Sequence, residues 1–91
     1  MYSKQTTIIN ATGLHARPAS EFVAEAKKYA SKITIKNLGK EGAVPANAKS
    51  MIRLLAEGLG TGSVVEIAAD GADEVAAVDA LVALIDSGFG E

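Results

Sequence analysis

A chain of 91 residues is long enough for one domain, 1–91, with a core of its own. It has no cysteine and a single histidine, which excludes disulfides, thiolate chemistry and any His/Cys metal set; no metal and no cofactor is expected. The net charge of −2 hides a division, because all nine Lys and Arg lie in residues 1–53 while residues 54–91 carry eight of the eleven carboxylates. If the first half contributes one face, that face is positive and steers toward acidic protein partners; otherwise the charges simply segregate among solvated helices, and the acidic overall balance and the lack of an aromatic-plus-basic stripe argue against nucleic acid. No apolar run approaches the roughly 20 residues of a membrane span and the start is polar, so a cytoplasmic location with no membrane association is expected.

Residues 4–9 predict a first strand ending in Ile8-Ile9, closed by the turn-forming Asn10-Ala11-Thr12-Gly13. A helix over about 16–30 places Ala19, Phe22, Val23, Ala26 and Ala30 on one stripe, with Glu21, Glu25 and Lys28 outward. Lys32-Ile33-Thr34-Ile35-Lys36 alternates as a strand with one buried face. A short third strand is expected near 41–44, ended by Pro45. Ser50 is an N-cap for a two-turn helix over 51–57 that stops at Gly58. Ser63–Ala69 is the strongest strand signal, and a last helix over about 72–86 buries Val75, Val78, Leu81, Val82 and Ile85 with Asp73, Glu74 and Asp79 outward. The order βαββαβα predicts an α+β fold, a two-layer open-faced sandwich in which a four-stranded antiparallel sheet carries three helices on one face.

The chemistry concentrates at Gly13-Leu14-His15-Ala16-Arg17-Pro18. A helix start supplies unpaired N–H donors and the positive end of the macrodipole; Arg17 adds a guanidinium suited to phosphate oxygens, and Pro18 fits the first turn. His15 has no Cys or second His to share a metal, and no Gly-x-Ser-x-Gly elbow gives it a serine to activate. What remains is the ring as nucleophile. Phosphoryl transfer asks mainly for positioning and charge stabilisation, and a small chain with no Walker-type loop fits an intermediary better than a kinase.

Gly13-Leu14-His15-Ala16-Arg17-Pro18-Ala19 resembles the phosphorylation signature of the histidine-containing phosphocarrier (HPr) family of the bacterial phosphoenolpyruvate:sugar phosphotransferase system, and Asn47-Ala48-Lys49-Ser50-Met51 with Gly58-Leu59 gives a second match. The resemblance covers essentially the whole chain. It implies a non-enzymatic carrier in which His15 accepts phosphate from phosphorylated enzyme I on Nδ1 and passes it to enzyme II A domains. Arg17 would balance the charge, the Ala16 and Arg17 amides would contact the phosphoryl group, and Pro18 would open the helix. Met51, Ile52 and Leu55 resemble the family's apolar docking patch, rimmed by Arg53, Lys27 and Lys49. Five of the six residues from 51 to 56 are apolar, more than one stripe of so short a helix buries.

Ser50 matches the position that a dedicated HPr serine kinase phosphorylates in many members, producing a regulator of carbon catabolite control that acts with a transcription regulator. An N-cap role alone also explains the serine. A monomer suits a shuttle. Within the family, the alternatives are a nitrogen-related or dihydroxyacetone-kinase relay or a chiefly serine-phosphorylated regulator; outside it, a small α+β interaction module. Residues 40–46 form a connection a few residues longer than the family's usual one and contain a proline.

Overall fold

The computed structural model describes residues 1–90. Its elements run β1 (Tyr2–Thr7), α1 (Ala16–Ala26), β2 (Lys32–Asn37), β3 (Ala46–Asn47), α2 (Met51–Ala56), β4 (Val64–Asp70) and α3 (Glu74–Asp86), followed by a 3-10 turn at Gly88–Gly90. The strands form one antiparallel sheet in the order β1-β4-β2-β3. This is the expected open-faced α+β sandwich.

Alternation along the strands decides which face is covered. Ile33 and Ile35 of β2 lie opposite Ala69 and Ile67 of β4, all four are buried, and Val65 completes the row. Phe22, Val23 and Ala26 of α1, Leu54 of α2, and Val78, Leu81 and Ile85 of α3 close over them. The other face carries the cross-strand pairs Lys32–Asp70, Thr34–Ala68 and Lys36–Glu66 and has no covering helix. Burial of a side chain as large as Phe22 contributes on the order of 1.5–3 kcal/mol, so this single layer of contacts dominates stability.

Several boundaries differ from expectation, each for a local reason. Strand β1 begins two residues earlier than the sequence predicts and ends at Thr7, because its inward contacts are polar: the Tyr2 hydroxyl donates to Asp79 at 3.0 Å, Lys4 Nζ lies 2.9 Å from Asp79, and the Thr6 hydroxyl donates to Asp86. Ile8 is buried and Ile9 exposed. Helix α1 stops at Ala26, where the bonds Lys28 N–H to Glu25 and Tyr29 N–H to Ala26 tighten the last turn, and Ala30 falls outside the buried stripe. Residues 41–44 turn, with Ala43 N–H donating to the Lys40 carbonyl at 3.2 Å; strand β3 follows Pro45 instead of preceding it.

In α3, Val75 is exposed and Ala77 takes its place in the core, while Val82 packs only partly against it. Asp73 does not point freely outward. Its carboxylate accepts the Ala30 N–H at 2.8 Å, the Ser31 N–H at 2.9 Å and the Ser31 hydroxyl, tying the start of α3 to the turn between α1 and β2. Phe89 is buried in the 3-10 turn, an unforeseen contribution from the last residues.

Candidate functional site

His15 stands in extended conformation (φ −140°, ψ 155°) as the N-cap of α1, with its ring exposed and making no capping bond. Ala16 then turns into the left-handed region at φ 51°, costly for a residue with a Cβ, and the helix proceeds through an exposed Arg17 and a buried Pro18. The amides at the helix start have no intrahelical acceptor and lie beside the ring in sequence. Arg17 Nε lies 3.9 Å from Glu21 Oε1, one turn along, and so long and exposed a pair contributes little.

The loop that presents His15 is held from below by a second loop some fifty residues away. Leu14 N–H donates to the Leu59 carbonyl at 2.8 Å, Ile8 N–H donates to the Ser63 carbonyl at 2.9 Å, Gly62 N–H donates to the Ile8 carbonyl at 2.7 Å, and the Thr61 hydroxyl donates to the Asn10 and Ala11 carbonyls at 2.6 and 3.0 Å. Asn10, buried, donates its Nδ2 to the Gly13 carbonyl at 2.8 Å. Asn10, Thr61, Leu59 and Gly60 are positioning residues; the sequence marks Asn10 as part of a turn and Leu59 as part of the second family match, and assigns none of the four this role. Nothing in the composition of the two separate segments joins them.

His15 opens on a shallow concavity of about 210 Å³ lined by Thr12, Leu14, Leu55, Gly58, Leu59 and Gly60. Helix α2 runs past this site. Only Leu54 of its apolar residues is fully buried, while Ile52 is 82 % exposed, Leu55 is 40 % exposed and Met51 is half-buried, so the surplus of apolar residues does surface. Met51 lines a second hollow with Ser20, Val23 and Ala24 of α1 and Lys27 just past its end. Lys49 and Arg53 do not join the His15 hollow: they line a different groove, on the side of α2 facing β2 and Pro45. Ser50 caps α2 as expected, its hydroxyl accepting the Arg53 N–H at 3.3 Å.

These elements match a known family in both sequence and shape. The family described as "PTS HPr component phosphorylation site" matches residues 2–87, and the chain belongs to it: it is a member of the HPr phosphocarrier family of the phosphotransferase system, a family of carriers and not of catalytic enzymes. The phosphocarrier protein HPr of Haemophilus influenzae is 49% identical over 85 residues, spanning 93% of this chain and 95% of that protein. The Vibrio cholerae HPr is 46% identical over 86 residues, spanning 94% and 96%. Among solved structures, HPr-C-His from Thermoanaerobacter tengcongensis superposes with a TM-score of 0.91 at 43% identity, covering 100% of this chain and 98% of that one.

Proposed function

We propose that the chain acts as a single-domain, monomeric cytoplasmic phosphocarrier that receives a phosphoryl group from phosphorylated enzyme I on His15 and delivers it to enzyme II A domains during sugar uptake. The observation that carries this reading is an exposed imidazole at the N-cap of α1, flanked by unpaired helix-start amides and by Arg17, in a hollow too shallow to enclose a substrate of its own. The Nδ1 lone pair attacks phosphorus in line, a nitrogen–phosphorus bond forms as the donor's bond to phosphorus breaks, and the donor leaves with that electron pair. The Ala16 and Arg17 amides and the Arg17 guanidinium then offset the charge of the phosphoryl oxygens. Delivery reverses the same geometry, so an open, moderately stabilising site serves a carrier better than a deep one.

Docking uses the apolar surface beside the ring. Leu55 borders the His15 hollow, Ile52 is nearly bare, Met51 sits against α1, and Lys27 supplies positive charge at the edge, with Arg53 and Lys49 on the far flank of α2. Ser50, half-buried at the N-cap next to Met51 and Ile52, is the regulatory site in this reading, phosphorylated by an HPr serine kinase and then read by a catabolite-control transcription regulator. A phosphate there gains from the helix dipole and places charge in the apolar patch, which slows enzyme I docking.

Incubation with phosphoenolpyruvate and enzyme I tests the first claim. The expected product is an acid-labile, alkali-stable phosphate that is absent from His15→Ala; a label that survives in that variant refutes the assignment. For Ser50, Ser50→Asp is expected to slow acceptance at His15 at least tenfold, and Ser50→Ala to leave acceptance intact while lowering stability by about 1 kcal/mol through loss of the cap. Unchanged transfer by Ser50→Asp counts against regulation at this position.

A further inference from the structure

The groove that draws Lys49 and Arg53 away from the histidine has a character of its own. Among the described residues, Lys27, Lys32, Lys36, Lys40, Lys49 and Arg53 have no carboxylate within 4.0 Å, and three of these six converge on one hollow of about 470 Å³ between β2, Pro45 and α2. No carboxylate lines it. Lys49 Nζ is fixed by a 2.6 Å bond to the Tyr29 carbonyl, so its charge is held in place by the backbone, while Lys32 and Arg53 approach from the sheet and from α2. Like charges gathered without a counter-ion repel one another, and an anion bound between them relieves that repulsion.

The hollow continues across the bare face of the sheet. A neighbouring depression of about 260 Å³ shares Lys32, Thr34 and Pro45 with it and ends at Asp70. Across the strands, Lys49 and Arg53 thus mark one end, Lys32 with Thr34 and Pro45 the middle, and Asp70, directly opposite Lys32 on β4, the other end beside Met1. Pro45, contributed by the 40–46 connection, lines both hollows.

We propose that this groove binds a small phosphorylated polyol of the sugar-phosphate type, its phosphate monoester between Lys32, Lys49 and Arg53 and its hydroxyls toward Thr34 and Asp70. The volume lies in the range of small-molecule sites, and the polarity gradient fits an anion joined to a hydroxylated carbon skeleton better than a long acidic peptide, for which Asp70 would be repulsive. The groove is separate from the His15 hollow, so binding here does not depend on phosphoryl transfer.

The test is an amide-resolved NMR titration of the full chain carrying His15→Ala, at fixed ionic strength, with glucose 6-phosphate, inorganic phosphate, glucose and a polyglutamate peptide as probes. Glucose 6-phosphate is expected to give saturable shifts at the amides of Lys32, Thr34, Asn47 and Arg53, with at least threefold tighter binding than inorganic phosphate and no response to glucose. Lys32→Gln with Arg53→Gln should weaken it at least tenfold, and Asp70→Asn should shrink the preference for glucose 6-phosphate over inorganic phosphate, because a hydroxyl acceptor is lost while a charge that repels both phosphates is removed. Both altered cations project from the surface, and unshifted resonances elsewhere report an intact fold. Absence of saturation, shifts confined to residues 15–18, equal affinity for free phosphate, or saturation by polyglutamate alone would each overturn the assignment.

Discussion

Gly13 is the pivot of the His15 loop. Its φ of +66° favours glycine, and a Cβ at this position would stand 2.7 Å from both the Gly60 Cα and the Leu59 carbonyl oxygen, which is the same carbonyl that accepts the Leu14 N–H. Gly13→Ala therefore meets backbone on one side and conformational strain on the other, and neither relaxes by moving a flexible side chain. A loss of about 2–3 kcal/mol is expected in urea unfolding, together with slower phosphoryl acceptance because His15 lies two residues on. Wild-type stability with wild-type transfer would show that the two loops are not coupled. The same reasoning separates Gly13 from the nearby Ala16: both have positive φ, but Ala16 bears its strain at the residue directly after His15.

At the level of elements, α3 is fastened by carboxylates at its start and along one side. Asp73 is held below the usual carboxylate range by the Ser31 hydroxyl, then by the Ala30 and Ser31 N–H groups; Glu74 is lowered by the Gly71 N–H and the chain's amino terminus, and Asp79 by Lys4 and Tyr2. Each such group binds its proton less readily folded than unfolded. Their stabilisation is therefore present above the ordinary aspartate and glutamate values and is lost as pH falls through the depressed native ones. For Asp73→Asn the urea midpoint should fall at pH 7, and the gap from wild type should close as the pH is lowered toward 2. A gap that stays constant with pH would mean the carboxylate's charge is not what fastens the turn. Lys4, raised by Asp79, acts at the other extreme, contributing below its ordinary value and losing that contribution as pH rises through the native one.

Over the whole molecule, the fold brings the basic first half and the acidic second half of the sequence together in places, as at the cross-strand pairs Lys32–Asp70 and Lys36–Glu66. Lys4 and the amino terminus are matched by Asp79 and Glu74 of α3, so the free positive surface is supplied by the end of α1, by β2 with the connection after it, and by α2. Encounter with an acidic partner should accordingly be steered electrostatically, and the rate of phosphoryl transfer from enzyme I should drop by roughly tenfold between low and high ionic strength while transfer within the bound complex is unaffected. A salt-independent association rate would place the recognition on the apolar Ile52 and Leu55 alone.

The order of elements, the single buried face of β2, the Ser50 cap and the His15–Arg17–Pro18 start of α1 were legible in the sequence because each depends on periodicity or on a local backbone requirement of a few neighbouring residues. Strand β1 was misplaced because its inward contacts are made by Tyr2, Lys4 and Thr6, polar residues that find their partners on a helix more than seventy positions away. Asp73 looked like a solvated charge for the same reason: its partners are Ala30 and Ser31. Local chemistry by itself determined that an imidazole would stand at a helix start. Only the tertiary structure decided that the loop from Leu59 to Gly62 would support it, that Leu55 would border it, and that Lys49 and Arg53 would turn toward Pro45 and Lys32, since contacts between distant segments depend on how the layers pack and leave no periodic trace in the chain.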